Sequence, residues 1–302
     1  MPKLLPNYET FDLDDIRPFS AIRLVVLDLD GTLLESGEST LPDKVMYLAN
    51  SLKHHRHGVK MTIATGRTLS GVRQLIDEFP ILKDTPMILY NGSLVLTRKY
   101  KILFQDFIPT ESLQRIIELS SKHKVKVLAY VCNYFGVDGP EERAFGWSSL
   151  DRPKLEYNKM LVKWLNWGNI ENITTPSAIV IHTSGQIKTI TDISSGLSNI
   201  DDISYTHGGT AYIEVRPKNS NKGTALDFVA NSLNLTINQV LAMGDNDNDA
   251  EMLYRAGIGV AVNSASSLAI KSSNYKAKRG IIEGAIEVLE LVRQARRLLG
   301  KK

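Results

Sequence analysis

Short apolar runs, each without helical spacing and each ending in polar residues, set the pattern of this chain. Leu24–Leu27, Val59–Ala64, Pro86–Tyr90, Val240–Met243 and Ile258–Val262 read as strands covered on both faces, as in a parallel sheet. Segments of helical period lie between and after them. Pro42–His57 carries Val45, Met46, Leu48, Ala49 and Leu52 at helical spacing, with Pro42 early and Gly58 just past the end. Val72, Leu75 and Ile76 mark a helix after Arg67, Ala225 to Leu233 another after Gly223, and Glu283–Leu299 an amphipathic closing helix. Strands alternating with helices predict an α/β domain built on a doubly wound parallel sheet.

From about Ser93 the texture changes. Short strands are predicted at Leu94–Thr97, Ile102–Asp106, Val125–Val131, Ala178–Thr183 and Ala211–Val215, with helices near Thr110–Lys122 and Gln186–Leu197 and a Trp-containing stretch at Tyr157–Trp167. Strands and helices mixed without strict alternation suggest an α+β module with its own antiparallel sheet. At roughly a hundred and twenty residues it is long enough to need its own core. The expected organisation is an arm at 1–22, a core domain from 21–92 and 216–302, and an insert at 93–215.

Composition narrows the function. The 302 residues hold 36 basic and 33 acidic side chains, a net charge of +3 with no basic block, so nucleic acid is not an expected partner. A single cysteine, Cys132, excludes an internal disulfide framework and is compatible with the cytoplasm. No apolar run approaches the roughly 18 residues of a membrane span, and the acidic, Pro-interrupted N-terminus is unlike a signal peptide. His54, His55 and His57 fall at a helix end, where cationic or polar side chains suit the dipole, and read as solvated.

The candidate chemistry sits where the apolar runs stop. Asp28 follows the first run, and extended geometry past it points Asp28 and Asp30 to one side and Leu29 to the other. Carboxylates about 4 Å apart at an effective dielectric near 20 repel by roughly 4 kcal/mol, so the pair needs a proton, a cation or distance. A hard divalent cation suits such oxygen ligands. After the second run, Thr65 offers a hydroxyl, Gly66 allows close approach and Arg67 leads into a helix N-terminus, a plausible phosphate seat that a capped helix start explains about as well. Asn91-Gly92 ends the third run, as a site residue or an ordinary turn. Lys222 precedes a helix. GDNDNDAEML ends the fourth run and crowds Asp245, Asp247, Asn248 and Asp249 into one strand-to-helix junction, where a helix cap needs only one such residue. Asn263 follows the fifth run as a site-edge candidate.

DLDGT (28–32), TGR (65–67), SNKGTAL (220–226) and GDNDND (244–249), in this order, resemble the four motifs of the haloacid dehalogenase superfamily, and ILYNGSLV resembles a loop of its Cof-type (type IIB) branch. The resemblance covers 21–92 and about 216–299, and a lid is inserted in that branch where 93–215 lies. It implies a Rossmann-like core with a cap, and a phosphatase acting on small phosphomonoesters through an aspartyl-phosphate. Asp28 is then the nucleophile and Asp30 the general acid/base, while Thr65, Gly66, Arg67, Asn91 and Lys222 bind substrate. Mg²⁺ is held by Asp28, the Asp30 carbonyl and Asp245, with Asn248 and Asp249 supporting; Asp247 sits at a variable position. A sugar phosphate or related metabolite is the expected partner of a monomer or homodimer. A phosphomutase of the same superfamily and a non-catalytic sugar-phosphate binding protein are the alternatives.

Overall fold

A computed structural model describes residues 1–35, 38–54, 58–79, 85–134, 140–149, 151–154, 160–170, 173, 176–208 and 211–300. The chain forms two compact units, one of Met1–Gly66, Val72–Arg98 and Asn221–Lys302, the other of Arg67–Gly71 and Lys99–Ser220.

The first unit contains β1 (Lys3–Leu4), α1 (Leu13–Ile16), β2 (Leu24–Leu27), α2 (Asp43–His54), β3 (Lys60–Ile63), most of α3 (Leu69–Glu78), β4 (Met87–Leu89) and β5 (Leu94–Leu96). The second contains β6 (Ile102–Gln105), α4 (Thr110–Lys122), β7 (Lys126–Tyr134), β8 (Pro140–Trp147), β9 (Val162–Leu165), β10 (Ala178–His182), α5 (Ile187–Leu197), β11 (Ile203–Gly208) and β12 (Tyr212–Pro217). The chain then returns through α6 (Lys222–Ser232), β13 (Val240–Gly244), α7 (Ala250–Arg255), β14 (Ile258–Ala261), α8 (Ser267–Ser272), β15 (Tyr275–Lys276) and α9 (Glu283–Leu299).

The core sheet runs β1-β15-β14-β13-β2-β3 with every pairing parallel. Its central strands are apolar throughout because helices cover both faces, and every residue of β2, β13 and β14 is buried. α2 packs on α9, and α6, α7 and α8 pack in sequence on one another. The register places Leu27 beside Met243 and Ile63, so the ends of β2, β13 and β3 share one edge. The third predicted strand differs from expectation. Among the described residues β4 meets the parallel sheet through an isolated Ala64–Ile88 bridge and pairs antiparallel with β5.

The N-terminal segment, expected to be an arm, extends the sheet instead. β1 pairs with β15, Ile16 and Phe19 are fully buried, and Arg296 of α9 donates to the Ser20 carbonyl at 2.9 Å. The predicted helix over Pro42–His57 is described as far as His54; His55 and His57 lie outside the described residues, as does Tyr157.

The second unit is a six-stranded sheet, β11-β12-β10-β7-β8-β9, antiparallel except for β8–β9. Alternation along the strands sends Val127, Ala129, Val131, Ile179, Ile181, Ile213 and Val215 to one face. There they pack with Leu113, Ile116 and Ile117 of α4 and Ile193 and Leu197 of α5, giving the unit its own core. Among the described residues no helix is long and apolar enough to cross a membrane.

Candidate active site

Asp28 leaves β2 with its N–H donating to the Met243 carbonyl at 3.0 Å, one further rung of the β2–β13 ladder. The chain then coils tightly: the Leu29 carbonyl accepts from the N–H groups of Thr32, Leu33 and Leu34, and the Gly31 N–H donates to Leu34. Gly31 lies at φ +90°, and a Cβ there would collide with the Asp245 carboxylate, so no other residue fits. The coil carries the Thr32 hydroxyl to Asp245 Oδ1, 3.2 Å away.

The loop after β13 fixes Asp245 from several sides. Asp249, fully buried, accepts the N–H groups of Asp245 and Asn246 on Oδ2 at 3.0 Å each. The Asn246 side chain caps the Asp247 N–H at 2.8 Å. Ser266, N-cap of α8, donates its N–H to the Asp245 carbonyl at 2.7 Å and its hydroxyl to Asp247 at 2.6 Å. Asp247 therefore braces the loop.

Lys222 is the first residue of α6, whose start is fixed by a capping box between Asn221 and Thr224. Its side chain is 1% exposed, and Nζ donates at 2.6 Å to both Asp28 Oδ1 and Asp249 Oδ1. Burial alone would lower the Lys222 pKa, but Asp249 and Asp28 outweigh it and raise the net value above that of ordinary lysine. Asp28 is raised well above the carboxylate range, first by burial and then by Asp249, with Lys222 opposing. Burial and Asp249 likewise raise Asp245 to about 6, against the pull of Lys222 and the Thr32 hydrogen bond. One ammonium among three carboxylates leaves the cluster short of positive charge.

Thr65 is buried two residues beyond β3; its N–H donates to Ile88 and its carbonyl accepts from Asn91 at 3.0 Å. Tyr90 and Asn91 are both left-handed, at φ 51° and 53°, which places strain at this edge of the sheet. Asn91 accepts from Asn248 Nδ2 at 2.9 Å, so the loops that end the third and fourth apolar runs meet. Gly66 faces Asn91 closely, while Arg67, next in sequence, belongs to the second unit. Asp30 is half-buried and bridges to Leu34. Asn263 donates instead to the Lys278 carbonyl at 3.0 Å, a contact that orders its own loop. Sequence reading missed Thr32, Asn246 and Ser266 as parts of the site. Thr32 lay within DLDGT and Ser266 before a short helical pattern, but only folding shows that both reach Asp245.

Asp28, Asp245 and Asp249 each present a carboxylate oxygen within 4.8 Å of the others. Asn248 Oδ1 is a buried acceptor with no hydrogen-bond partner among the described residues. A set made wholly of oxygens, short of positive charge and with an orphaned acceptor beside it, fits a hard divalent cation such as Mg²⁺. Both Asp249 oxygens already accept hydrogen bonds, so Asp28 and Asp245 are the freer donors.

A pH dependence follows from Asp245. Its folded pKa of about 6 lies above the unfolded value of about 3.9, so the folded state holds the proton more tightly. The metal-free protein therefore loses stability as pH rises from about 4 to about 6, and the loss is complete above that. A cation favours the charged form and reverses it. Mg²⁺ added to chelated protein is expected to raise Tm clearly at about pH 7.5 and little at about pH 5. Thermal unfolding at the two pH values checks this, and equal shifts would separate Mg²⁺ from these carboxylates.

A family model described as haloacid dehalogenase-like hydrolase matches residues 25–286, most of the chain. The 5-amino-6-(5-phospho-D-ribitylamino)uracil phosphatase of Bacillus subtilis is 25% identical over 269 residues, 89% of this chain and 94% of that protein. Among solved structures, a haloacid dehalogenase-like hydrolase from Bacteroides thetaiotaomicron superposes with a TM-score of 0.72 at 22% identity, covering 89% of this chain and 98% of that one. A subclass IIB sugar phosphatase gives 0.67 at 18% identity, covering 84% and 93%. With a match that spans β13, β14 and every residue of the carboxylate cluster, the chain belongs to the haloacid dehalogenase-like hydrolase family.

Proposed function

We propose that this phosphoric monoester hydrolase is a Mg²⁺-dependent phosphatase of small phosphomonoesters, a sugar phosphate or related metabolite, that works through a phosphorylated Asp28. The observation that carries the reading is Asp28 itself, a buried carboxylate at the end of β2 between the Lys222 ammonium and Asp245. A buried acid with no reaction to perform is better replaced by an apolar residue. Mg²⁺, held by the carboxylates of Asp28 and Asp245 and the Asp30 carbonyl with Asn248 and Asp249 in support, supplies the charge that lets an anionic nucleophile meet an anionic phosphoryl group.

Lys222 favours the ionised form of Asp28 against burial and Asp249 and takes up charge on the phosphoryl oxygens, while Asp249 aims Lys222 and the Asp245 amide. Asp28 attacks phosphorus as the bond to the leaving alcohol breaks, and Asp30 gives that oxygen a proton. Asp30 then accepts a proton from the water that attacks the phosphoenzyme, and phosphate leaves with Asp28 restored. Thr65, Gly66, Asn91 and Arg67 seat the phosphoryl group and its ester. The second unit acts as the lid that selects the leaving group, in a cytoplasmic enzyme that is a monomer or homodimer.

Phosphate release from a panel of phosphorylated metabolites tests the reading. The panel includes sugar phosphates, p-nitrophenyl phosphate and the ribityl phosphate that names the Bacillus relative. Release from at least one ester, lost in excess chelator, is expected. No release from any member, or transfer to a second sugar without release, would overturn it; the latter outcome belongs to a phosphomutase.

A further inference from the structure

We infer that Ile282, at the entry to α9, is a positioning residue for the metal carboxylate Asp245, acting through Thr32. Ile282 lies at φ 64°, ψ −59°, and the Glu283 N–H donates to the Ile281 carbonyl at 2.7 Å. This is the strained, positive-φ form of the γ-turn, which a β-branched residue adopts only when its surroundings enforce it. The turn is held from both sides. Glu287 of α9 accepts the N–H groups of Lys278 and Arg279, and the Gly284 N–H closes onto the Gly280 carbonyl at 2.8 Å.

The strained geometry aims one group at the site. The Ile282 N–H donates to the Thr32 carbonyl at 2.9 Å. Thr32 is fully buried, and its hydroxyl donates to Asp245 Oδ1. The first turn of α9 also lies against the residue that precedes Gly244, since a Cβ on Gly284 would stand 3.1 Å from Met243 Cε. A γ-turn relaxed to ordinary backbone would swing the N–H off Thr32 and leave the Thr32 hydroxyl free to turn from Asp245. Backbone strain at residue 282 is thus retained because it fixes a carboxylate 37 positions earlier in the chain.

The inference rests on the proposal that Asp245 holds Mg²⁺, and the test separates the two. Mg²⁺ affinity is measured by titration calorimetry, and Tm in chelator, for the parent protein and for Asp245→Asn, Thr32→Val, Ile282→Gly and Ile282→Pro. Asp245→Asn is expected to weaken Mg²⁺ at least about tenfold. Ile282→Gly keeps the N–H and takes a positive φ without strain, so it is expected to raise Tm in chelator by about 2 °C and to leave Mg²⁺ affinity unchanged. Ile282→Pro removes the N–H that reaches Thr32 and is barred from positive φ, and is expected to weaken Mg²⁺ about threefold or more. A residue with only a structural role moves stability alone. Thr32→Val should weaken Mg²⁺ to a similar degree. Unchanged affinity in Ile282→Pro or in Thr32→Val, or an affinity lost as far in Ile282→Gly as in Ile282→Pro, overturns the role of the Ile282 N–H even if Asp245→Asn behaves as expected. Unchanged affinity in Asp245→Asn overturns the metal assignment and the inference with it.

Discussion

Asp28→Asn is expected to lose phosphoester hydrolysis completely, whereas Asp30→Asn slows it by about 10²- to 10⁴-fold, the usual worth of one proton-transfer group. The two residues are one position apart, yet the fold separates their surroundings. Asp28 is 4% exposed and tied to Lys222, and Asp30 is half-buried on the coil that follows. Replacing Asp28 removes the nucleophile, so no phosphoenzyme forms with any ester. It also removes the charge that burial, and after it the nearby Asp249, disfavours, while Asn Oδ1 can still accept from Lys222. The variant should therefore be inactive but no less stable in chelator. Asp30→Asn keeps the backbone carbonyl and loses only the acid/base. With p-nitrophenyl phosphate, whose leaving group needs little protonation, it should give a burst of nitrophenol and then slow turnover. Mass spectrometry of the quenched variant should place one phosphoryl group on the peptide that contains Asp28. A burst in Asp28→Asn, or phosphate on another residue, would reassign the nucleophile.

Lys222→Met is expected to cost about 3–5 kcal/mol of stability, the range for breaking a buried ion pair from one side, together with nearly all activity. Met fills a similar volume, so the loss is electrostatic. Two carboxylates, Asp28 and Asp249, would remain buried with the cation between them gone. Without the ammonium, which opposes the rise, the Asp28 pKa climbs further, and the anionic nucleophile is disfavoured at neutral pH. Asp249 also holds the N–H groups of Asp245 and Asn246, so losing the Lys222 contact that fixes it loosens the loop after β13 as well. Denaturant unfolding in chelator measures the stability term. A loss below about 1 kcal/mol would show that the cluster does not depend on Lys222 for its charge. Acidification should narrow the gap between variant and parent, since protonated acids no longer need the ammonium.

The parallel sheet was legible because strands buried on both faces must be apolar at every position, so LVVL, VLAM and IGVA announce themselves in one dimension. Asp28 and Asp245 were legible for a related reason, whereas Lys222, a lone lysine before a helix, stood out only through the resemblance of SNKGTAL to a family motif. A polar residue directly after such a run has to stand at the sheet edge where helices begin, and several carboxylates there exceed what capping requires. Polar or very short strands gave no such signal. β8, with the sequence PEERAFGW, lies next to the edge strand β9 and carries three consecutive charged residues, Glu141, Glu142 and Arg143, and β1 and β15 have two residues each.

Contacts between distant parts of the chain were decided only by folding. Thr32 and Asp245 are 213 positions apart, Lys222 and Asp28 are 194 apart, and Arg296 reaches Ser20 across 276. No local pattern encodes such pairs, because each residue satisfies local rules equally well alone: Thr32 as a turn residue, Lys222 as a helix start, residues 1–22 as an arm. The strain at Asn91 and Ile282 belongs to the same class, since a side chain at positive φ opposes local preference and persists only where tertiary contacts outweigh it. The sequence by itself thus determined which strands form and which acids end them. The tertiary structure decided how those acids are charged, braced and aimed, because hydrogen bonds and Coulomb forces act across space and not along the chain.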